Sequence, residues 1–207
     1  TRTSAVFRQY YTQGNESQTS HSTVWTGVYP AIHNVRLAGV GGSSRIPQRL
    51  PVIAELLGKA GLATTGVTGN GFVTDDGGYT RGFEEFRNMM REKGVINGTL
   101  LGETILSAAL GRLEAHRDRP TFLFFGTVES HSPWIARQPW MDRYSALPYE
   151  GPFKSFGDGF ALGFRRGKMG CSKIPPPKDI ERLRAIYDST ISYSDDLIGK
   201  FIAQLKI

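Results

Sequence analysis

The distribution of apolar and polar residues along the chain predicts three strands. PTFLFFGTV, residues 120–128, is a continuous apolar run after a charged turn, which is typical of a fully buried, parallel strand. LATTGVTG, residues 62–69, follows a predicted helix at once and is interpreted as a second strand. AVFRQYY, residues 5–11, alternates and is aromatic, so it predicts a strand at the start of the chain.

Three longer segments place apolar residues at helical spacing: residues 50–61, 99–116 and 179–205. The first has Pro51 in its first turn and Gly61 as the expected cap at its end. The predicted buried faces consist of Val52, Ile53, Leu56 and Leu57 in the first helix; Ile105, Leu106, Ala109, Leu110 and Leu113 in the second; and Ile180, Leu183, Ile186, Tyr187, Ile191, Leu197, Ile198, Phe201, Ile202 and Leu205 in the third.

A helix followed directly by a strand is the repeating unit of α/β folds. We therefore predict an α/β fold class, with a mostly parallel sheet and helices on both faces, in a single domain over residues 1–207. Residues 35–49 and 74–82 are rich in turn-forming residues and predict loops. Residues 149–177, rich in Gly, Pro and Phe and without periodicity, predict a long irregular excursion.

The composition says more about the kind of partner that the protein binds than about its fold. The net charge is +6, but the basic residues are scattered, which favours a solvated face over a nucleic-acid groove. The same excess would steer a small anionic substrate toward the protein. Cys171 is the only cysteine, which excludes an intrachain disulfide and a cysteine-based zinc site.

Apolar runs in the chain are short. None reaches transmembrane length, and no signal peptide is visible at the beginning of the sequence. The composition therefore predicts a small anionic substrate as partner, with no nucleic acid and no transmembrane segment. The sequence is compatible with an extracytoplasmic and with a cytoplasmic location, and it does not determine the oligomeric state.

Candidate chemistry concentrates where a short helix is predicted over residues 20–25. Ser17, Ser20 and His21 crowd the beginning of this helix, and Thr19 lies among them. Free N–H groups and a partial positive charge at a helix start favour an alkoxide and bind sulfate or phosphate. Position alone does not choose the nucleophile, and the alternative is that Ser17 or Thr19 only caps the helix.

The wider segment SQTSHSTVWTGVYPAIHNV resembles the active-site segment of the sulfatase family, within the alkaline phosphatase superfamily. In this resemblance Ser17 takes the place of the nucleophile, Thr19 that of the family's Pro and His21 that of its Arg. Four more stretches resemble the family in the right order: LPVIAELLGKAGLATTGV, GFEEF, PTFLFFGTVESHSPW and AIYDSTISYSDDLIGKFIAQL. The resemblance spans nearly the whole chain.

The resemblance implies a metal-dependent hydrolase of sulfate esters that uses Ser17 as its nucleophile. The family's converting enzyme, which turns Cys or Ser into formylglycine, reads the Pro and Arg that Thr19 and His21 replace here. An unmodified Ser17 would instead suit a phosphoester hydrolase or phosphotransferase. A third alternative is a catalytically inactive fragment or degenerate homologue that binds a ligand or partner.

Further site residues follow from the same resemblance. His131 matches a histidine that binds substrate or protonates the leaving group. Glu129 takes the place of a family Asp and is expected to orient this loop and to take part in substrate binding. His21 and Asn70 are expected to assist at the anion. Asn70 lies in TGNGF, which corresponds to the family's Gly-Lys-Trp-His segment but brings neither its Lys nor its His.

The resemblance also implies a divalent cation, Ca²⁺ or Mg²⁺, held by two acidic pairs. Of the expected ligands only Ser17 has a counterpart here, so the other ligands are expected outside this chain, and residues 1–207 alone are expected to be inactive. Asp75-Asp76 and Asp195-Asp196 stand in the wrong order to replace those pairs. The first pair is interpreted as a turn and the second as a polar helix face.

Overall fold

The structure is a computed structural model that describes residues 5–36, 43–92, 102–145, 148–157 and 175–205. Its helices are α1 (Ser17–Thr26), α2 (Pro30–His33), α3 (Ile53–Lys59), α4 (Gly102–Ala115) and α5 (Pro177–Gln204). Its strands are β1 (Ala63–Thr68), β2 (Glu85–Asn88), β3 (Thr121–Gly126), β4 (Trp134–Ile135) and β5 (Phe156–Gly157). Short 3₁₀ helices cover Met89–Arg91 and Trp140–Arg143.

The chain divides into two compact units, each described here by itself. The first unit contains Thr1–Leu100 and Ser107–Gly126, and the second contains Leu101–Leu106 and Thr127–Ile207. The first unit is built on a three-stranded parallel sheet with the order β2-β1-β3, and the second contains the antiparallel pair β4-β5. The parallel sheet with its helices confirms the predicted α/β class.

Helices cover both faces of the sheet in the first unit. On one face Trp25 of α1 packs edge-on against Phe124 of β3, with ring centroids 4.5 Å apart. On the other face Arg112 of α4 forms an ion pair with Glu85 of β2. In-register partners across parallel strands point to the same side, so these contacts lie on opposite faces of the sheet.

Residues 5–11 do not form the predicted strand. Their backbone is irregular, and the side chains of Phe7 and Tyr10 are 77% and 80% exposed. No strand within the described ranges pairs with them. Aromatic alternation favours a strand only where the segment pairs with a sheet edge and packs against a surface, and no described strand pairs with residues 5–11.

The helix predicted over residues 50–61 is shorter than expected. It begins at Ile53, so Pro51 precedes the N-cap Val52 instead of occupying the first turn. Val52 is buried as predicted, but Leu56 of the predicted apolar face is 53% exposed. Glu55 stabilises the beginning of this helix. Its carboxylate accepts a hydrogen bond from the Val52 N–H at 3.1 Å and forms an ion pair with Arg81 at 3.0 Å.

The strand predicted over residues 120–128 is parallel, as expected, but only partly buried along its whole length. Among the described strands it pairs with β1 alone, whereas β1 has a partner on each side and is buried throughout. Full burial of an apolar strand requires neighbours on both edges as well as both faces.

In the second unit α5 confirms the predicted long helix, but its buried face is narrower than the sequence suggests. Buried members of the predicted face are Leu183, Ile186, Leu197 and Phe201, while Tyr187, Ile191, Ile198, Ile202 and Leu205 are exposed. Leu183 and Ile186 pack with Met141 and Phe153 in a small core. Most of the predicted excursion, residues 158–174, lies outside the described residues. No helix in the described ranges is both long and apolar enough to span a membrane.

His33 is a fully buried residue that holds the chain after α2 to α1. Its Nδ1 accepts from the Val35 amide at 2.9 Å, so its Nε2 carries the proton and donates to Thr23 Oγ1 at 3.1 Å. Burial lowers the pKa of His33 below its ordinary value. Protonation of Nδ1 would place its N–H directly against the N–H of Val35. The folded protein therefore keeps the His33 side chain in its neutral form.

We therefore expect acid to destabilise the protein through His33. Its pKa is lower in the folded state than in the unfolded state, so this contribution is fully present above the unfolded value of about 6.5. It is lost as the pH falls from there through the folded pKa. Urea unfolding of the wild type and of His33→Gln between pH 7 and pH 5 measures this, and the wild type should lose more stability. Parallel curves would show that His33 is not the group responsible.

Candidate active site

Tyr79, in the loop between β1 and β2, holds α1 by hydrogen bonds near both of its ends. Tyr79 is fully buried, its carbonyl accepts from Trp25 Nε1 at 2.8 Å, and its hydroxyl donates to the carbonyl of Gln18 at 2.9 Å. The same hydroxyl lies 3.0 Å from Ser22 Oγ. Burial raises the pKa of Tyr79, so its hydroxyl stays protonated and keeps donating. These bonds set the position of the first turn of α1.

Ser17 is the first residue of α1, so the helix begins three residues earlier than the sequence predicts and Ser17 lies in its first turn. Glu16, the N-cap, has an extended backbone, and Gly27 ends the helix in a left-handed conformation with φ of 70°. The Glu16 side chain makes no capping hydrogen bond, and the first N–H groups of any α-helix have no partners within the helix. This arrangement favours negative charge beside Ser17.

The structure distinguishes the hydroxyls that the sequence leaves equivalent. Thr19 is buried, with its Oγ1 bonded to Glu16 Oε2 at 3.0 Å, and Ser20 Oγ donates to the Glu16 carbonyl at 3.0 Å. Ser22 is fully buried. Ser17 is partly exposed, and its Oγ accepts a hydrogen bond from Asn70 Nδ2 at 3.1 Å. Of these hydroxyls, that of Ser17 is the most suitable nucleophile.

Asn70 reaches Ser17 from the carboxyl end of the central strand β1. Its own amide N–H donates to Thr68 Oγ1 at 3.1 Å, and its Oδ1 accepts from the Phe72 N–H at 2.9 Å. The bond to Phe72 fixes which way the side-chain amide faces, so Nδ2 is presented to Ser17. An N–H aimed at a serine oxygen stabilises that oxygen as its charge develops.

His21 lies one helical turn after Ser17 and contacts its backbone instead of its hydroxyl. Its Nδ1 donates to the Ser17 carbonyl at 2.8 Å, which leaves Nε2 as an acceptor. The ring packs against Trp25 and Phe124. Burial lowers the pKa of His21, although its bond to the Ser17 carbonyl opposes that change. The imidazole is therefore neutral at pH 7 and does not replace the charge of an arginine.

Glu129, in the second unit, is a buried carboxylate with two described partners. Its Oε1 accepts from the Gly102 N–H at the start of α4 at 2.6 Å, and its Oε2 pairs with Arg137. The guanidinium of Arg137 lies over the ring of Tyr193, 4.4 Å from its centroid. These contacts tie the loop after β3 to the start of α4 and to α5. The loop-orienting role of Glu129 and its contact with substrate stay predictions.

His131 is exposed in the same loop of the second unit. Its backbone N–H donates to the Val128 carbonyl at 2.9 Å, and its Nδ1 lies 2.5 Å from the Ser132 carbonyl. Since a carbonyl oxygen only accepts, Nδ1 is the donor in this contact. Ser17, His21 and Asn70 are brought together in the first unit, while Glu129 and His131 share the second.

The residues described around Ser17 do not by themselves fit a divalent-cation site. Within the described ranges, no three or more His, Cys, Asp or Glu side chains cluster closely enough to hold a metal. Asn70 presents its amide nitrogen to Ser17, and an amide N–H is a donor that does not coordinate cations. The two acidic pairs behave as interpreted: the Asp75 carbonyl accepts from Gly78 in a turn, and Asp196 pairs with Lys200 along α5.

Sequence reasoning missed the residues that hold the predicted site residues in place within each unit. In the first unit, Tyr79 lies in a segment interpreted only as a turn-rich loop, and in the second unit Arg137 carries no motif. A buried tyrosine inside TDDGGYT is a weak signal, because aromatic residues in loops are common and only packing shows which are anchors.

Comparisons with known proteins agree with this fold. The sulfatase family model matches residues 1–206, so the chain belongs to the sulfatase family. Members of this family generally depend on a divalent cation. No curated protein matches the chain.

Among solved structures the chain is similar to the C-terminal periplasmic domain of EcEptC from Escherichia coli, a complex with Zn. The TM-score is 0.54 at 10% identity, which shows a shared fold and no more. The match covers 92% of this chain but only 45% of that one, so the chain spans less than half the length of the solved relative.

Proposed function

We propose that the complete gene product cleaves sulfate esters, with Ser17 as the nucleophile. The observation that carries this proposal is the bond from Asn70 Nδ2 to Ser17 Oγ at the start of α1, in a chain of the sulfatase family. Ser17 Oγ loses its proton and bonds to the central atom of the ester while the bond from that atom to the alcohol oxygen breaks, and the alcohol leaves with one proton. Water then attacks the same atom and breaks its bond to Ser17 Oγ, which releases the anion and returns a proton to Ser17.

Two groups of this chain support the attack. Asn70 donates to Ser17 Oγ and stabilises it as its proton leaves, and the N–H groups at the start of α1 favour the anionic substrate beside it. His21, being neutral, contributes no positive charge. From the family resemblance His131 binds the substrate or protonates the leaving alcohol, and a divalent cation is held mainly by ligands outside residues 1–207.

A second candidate, hydrolysis or transfer of a phosphate ester, is favoured by the residues at the modification signal. Thr19 and His21 stand where the converting enzyme would read Pro and Arg, and both side chains are committed to contacts inside the protein. An unmodified Ser17 would form an ordinary ester with the phosphoryl group.

Turnover of p-nitrophenyl sulfate and p-nitrophenyl phosphate tests both candidates, using the complete gene product with and without added Ca²⁺, Mg²⁺ or Mn²⁺. We expect metal-dependent turnover of one ester, and the preferred ester chooses between the candidates. Mass measurement of the peptide that contains Ser17 distinguishes serine from formylglycine. No turnover of either ester with any cation would favour a homologue that binds a ligand or partner without catalysis.

A further inference from the structure

We propose that Asn88 is a positioning residue that, with help from Arg91, holds the turn after β1 so that Asn70 faces Ser17. This inference rests on the proposed function of Ser17 for its effect on catalysis. Its structural part, the ordering of the Asn70 side chain, stands on the contacts of the first unit alone.

The turn that carries Asn70 is short and has few bonds of its own. The Val73 N–H donates to the Asn70 carbonyl at 3.1 Å, and the Gly69 N–H donates to the Gly126 carbonyl of β3 at 2.8 Å. The turn contains two glycines and an exposed Phe72, and the large side chain that it buries is that of its last residue, Val73, so residues 69–72 have little side-chain packing to restrict their backbone. Side chains from outside the turn must therefore fix its carbonyl groups.

Asn88 supplies two of these contacts from a rigid element. It is the last residue of β2 and stands in register with Thr68 at the end of β1. Its Nδ2 donates to the carbonyl of Asn70 at 2.9 Å and to that of Val73 at 2.8 Å. One amide nitrogen thereby clamps both ends of the turn.

The oxygen atom of the Asn88 side-chain amide supports this positioning role. Its Oδ1 is buried and has no hydrogen-bond partner among the described residues. A buried acceptor without a partner costs stability. Turning the amide over would place Oδ1 against two carbonyl oxygens, so the two donated bonds determine its orientation.

Arg91 adds a third contact from the 3₁₀ helix that follows β2. Its Nε and Nη2 donate to the carbonyl of Gly71 at 3.0 and 2.8 Å. Because Arg91 is exposed, we expect its contribution to be smaller than that of Asn88. Together the two side chains hold the carbonyls of Asn70, Gly71 and Val73, while the Asn70 side chain extends to Ser17.

A double-mutant cycle in the complete gene product tests whether Asn88 acts through Asn70. Asn88→Asp keeps the shape of the side chain but removes both donors. We expect Asn88→Asp and Asn70→Ala each to lower kcat/KM by roughly 10–100-fold, since loss of one preorganised donor is of this order or larger. The double variant should be no slower than Asn70→Ala alone. A double variant slowed by the product of the two single effects would overturn the proposal.

The Asn70 side-chain amide gives a readout that does not depend on turnover. In ¹⁵N-resolved NMR spectra its two protons should be well separated and ordered in the wild type, and should lose that order in Asn88→Asp. Arg87→Gln is the matched control, because Arg87 is the neighbouring residue of β2 and pairs with Glu92 at the surface. The control should leave the Asn70 signals unchanged.

The two readouts separate the failure of this inference from the failure of the proposed function. If no ester is turned over but Asn88→Asp still releases the Asn70 amide, the positioning role stands and the assigned reaction falls. If the amide stays ordered in Asn88→Asp, the positioning role is wrong whatever the activity. Should Asn88→Asp not fold, Arg91→Ala provides the test with a smaller effect in the same direction, and unchanged Asn70 signals there would overturn the proposal.

Discussion

Replacing Ser17 with alanine should remove ester turnover, lowering kcat/KM by about 10³-fold or more, because no neighbouring hydroxyl is placed to substitute for it. Thr19 and Ser22 are buried, and Ser20 is bonded back into the helix. The fold should be unaffected, since the one hydrogen bond described for Ser17 Oγ is that from Asn70. Steady-state kinetics and a thermal melt of the complete gene product measure the two effects.

Ser20→Ala is the matched control for this prediction. It removes a hydroxyl from the same turn of α1, one that donates to the Glu16 carbonyl and does not contact Asn70. We expect its turnover to remain within a few-fold of the wild type. Equal losses in Ser17→Ala and Ser20→Ala would show that the helix start matters only for structure, and undiminished turnover in Ser17→Ala would remove it from the mechanism.

The largest effect on stability is expected for Gly82→Ala, which should lower the free energy of unfolding by about 3 kcal/mol or more. The substitution would both strain the backbone and place an extra atom where there is no room for it. Gly82 has φ of +76°, and an added Cβ would lie 2.2 Å from the backbone nitrogen of Glu55. The Gly82 carbonyl also accepts from Thr64 Oγ1 of β1 at 2.7 Å, so a shift of this residue disturbs the central strand. Chemical denaturation measures the change in the free energy of unfolding.

Gly111→Ala serves as the comparison for Gly82→Ala. Gly111 lies inside α4, and an added Cβ there would meet nothing within 4 Å. Because glycine within a helix is unfavourable relative to alanine, we expect stabilisation by about 0.5–1 kcal/mol. A destabilised Gly111→Ala, or a Gly82→Ala variant as stable as the wild type, would contradict the role given to backbone geometry at these two glycines.

The neutral state of His21 shapes the electrostatics of the proposed reaction. With Nδ1 committed to the Ser17 carbonyl and burial lowering its pKa, His21 gives the anion no charge-assisted bond at pH 7. The described donors beside Ser17 are then the Asn70 amide and the start of α1. This makes the site depend strongly on how firmly Asn70 is held, which is the feature that Asn88 controls in our proposal.

The sequence by itself determined the parts of this protein that depend on local pattern. The apolar run of β3, the helix-then-strand order of α3 and β1, and the long helix α5 all follow from periodicity, and the structure confirms them. The spacing of SQTSHSTVWTGVYP likewise indicated the family and placed Ser17 at a helix start. Such features are visible in one segment because neighbouring residues alone produce them.

Only the tertiary structure decided which of these residues act together. Residues 5–11 have the pattern of a strand but no partner to pair with in the described part of the chain, and Leu56 has the spacing of a core residue but faces solvent. The choice of Ser17 over its neighbouring hydroxyls depends on Asn70, 53 positions away, and the clamp on Asn70 comes from Asn88. Burial and hydrogen bonding between distant segments are properties of the packed fold, so no local pattern of residues contains them.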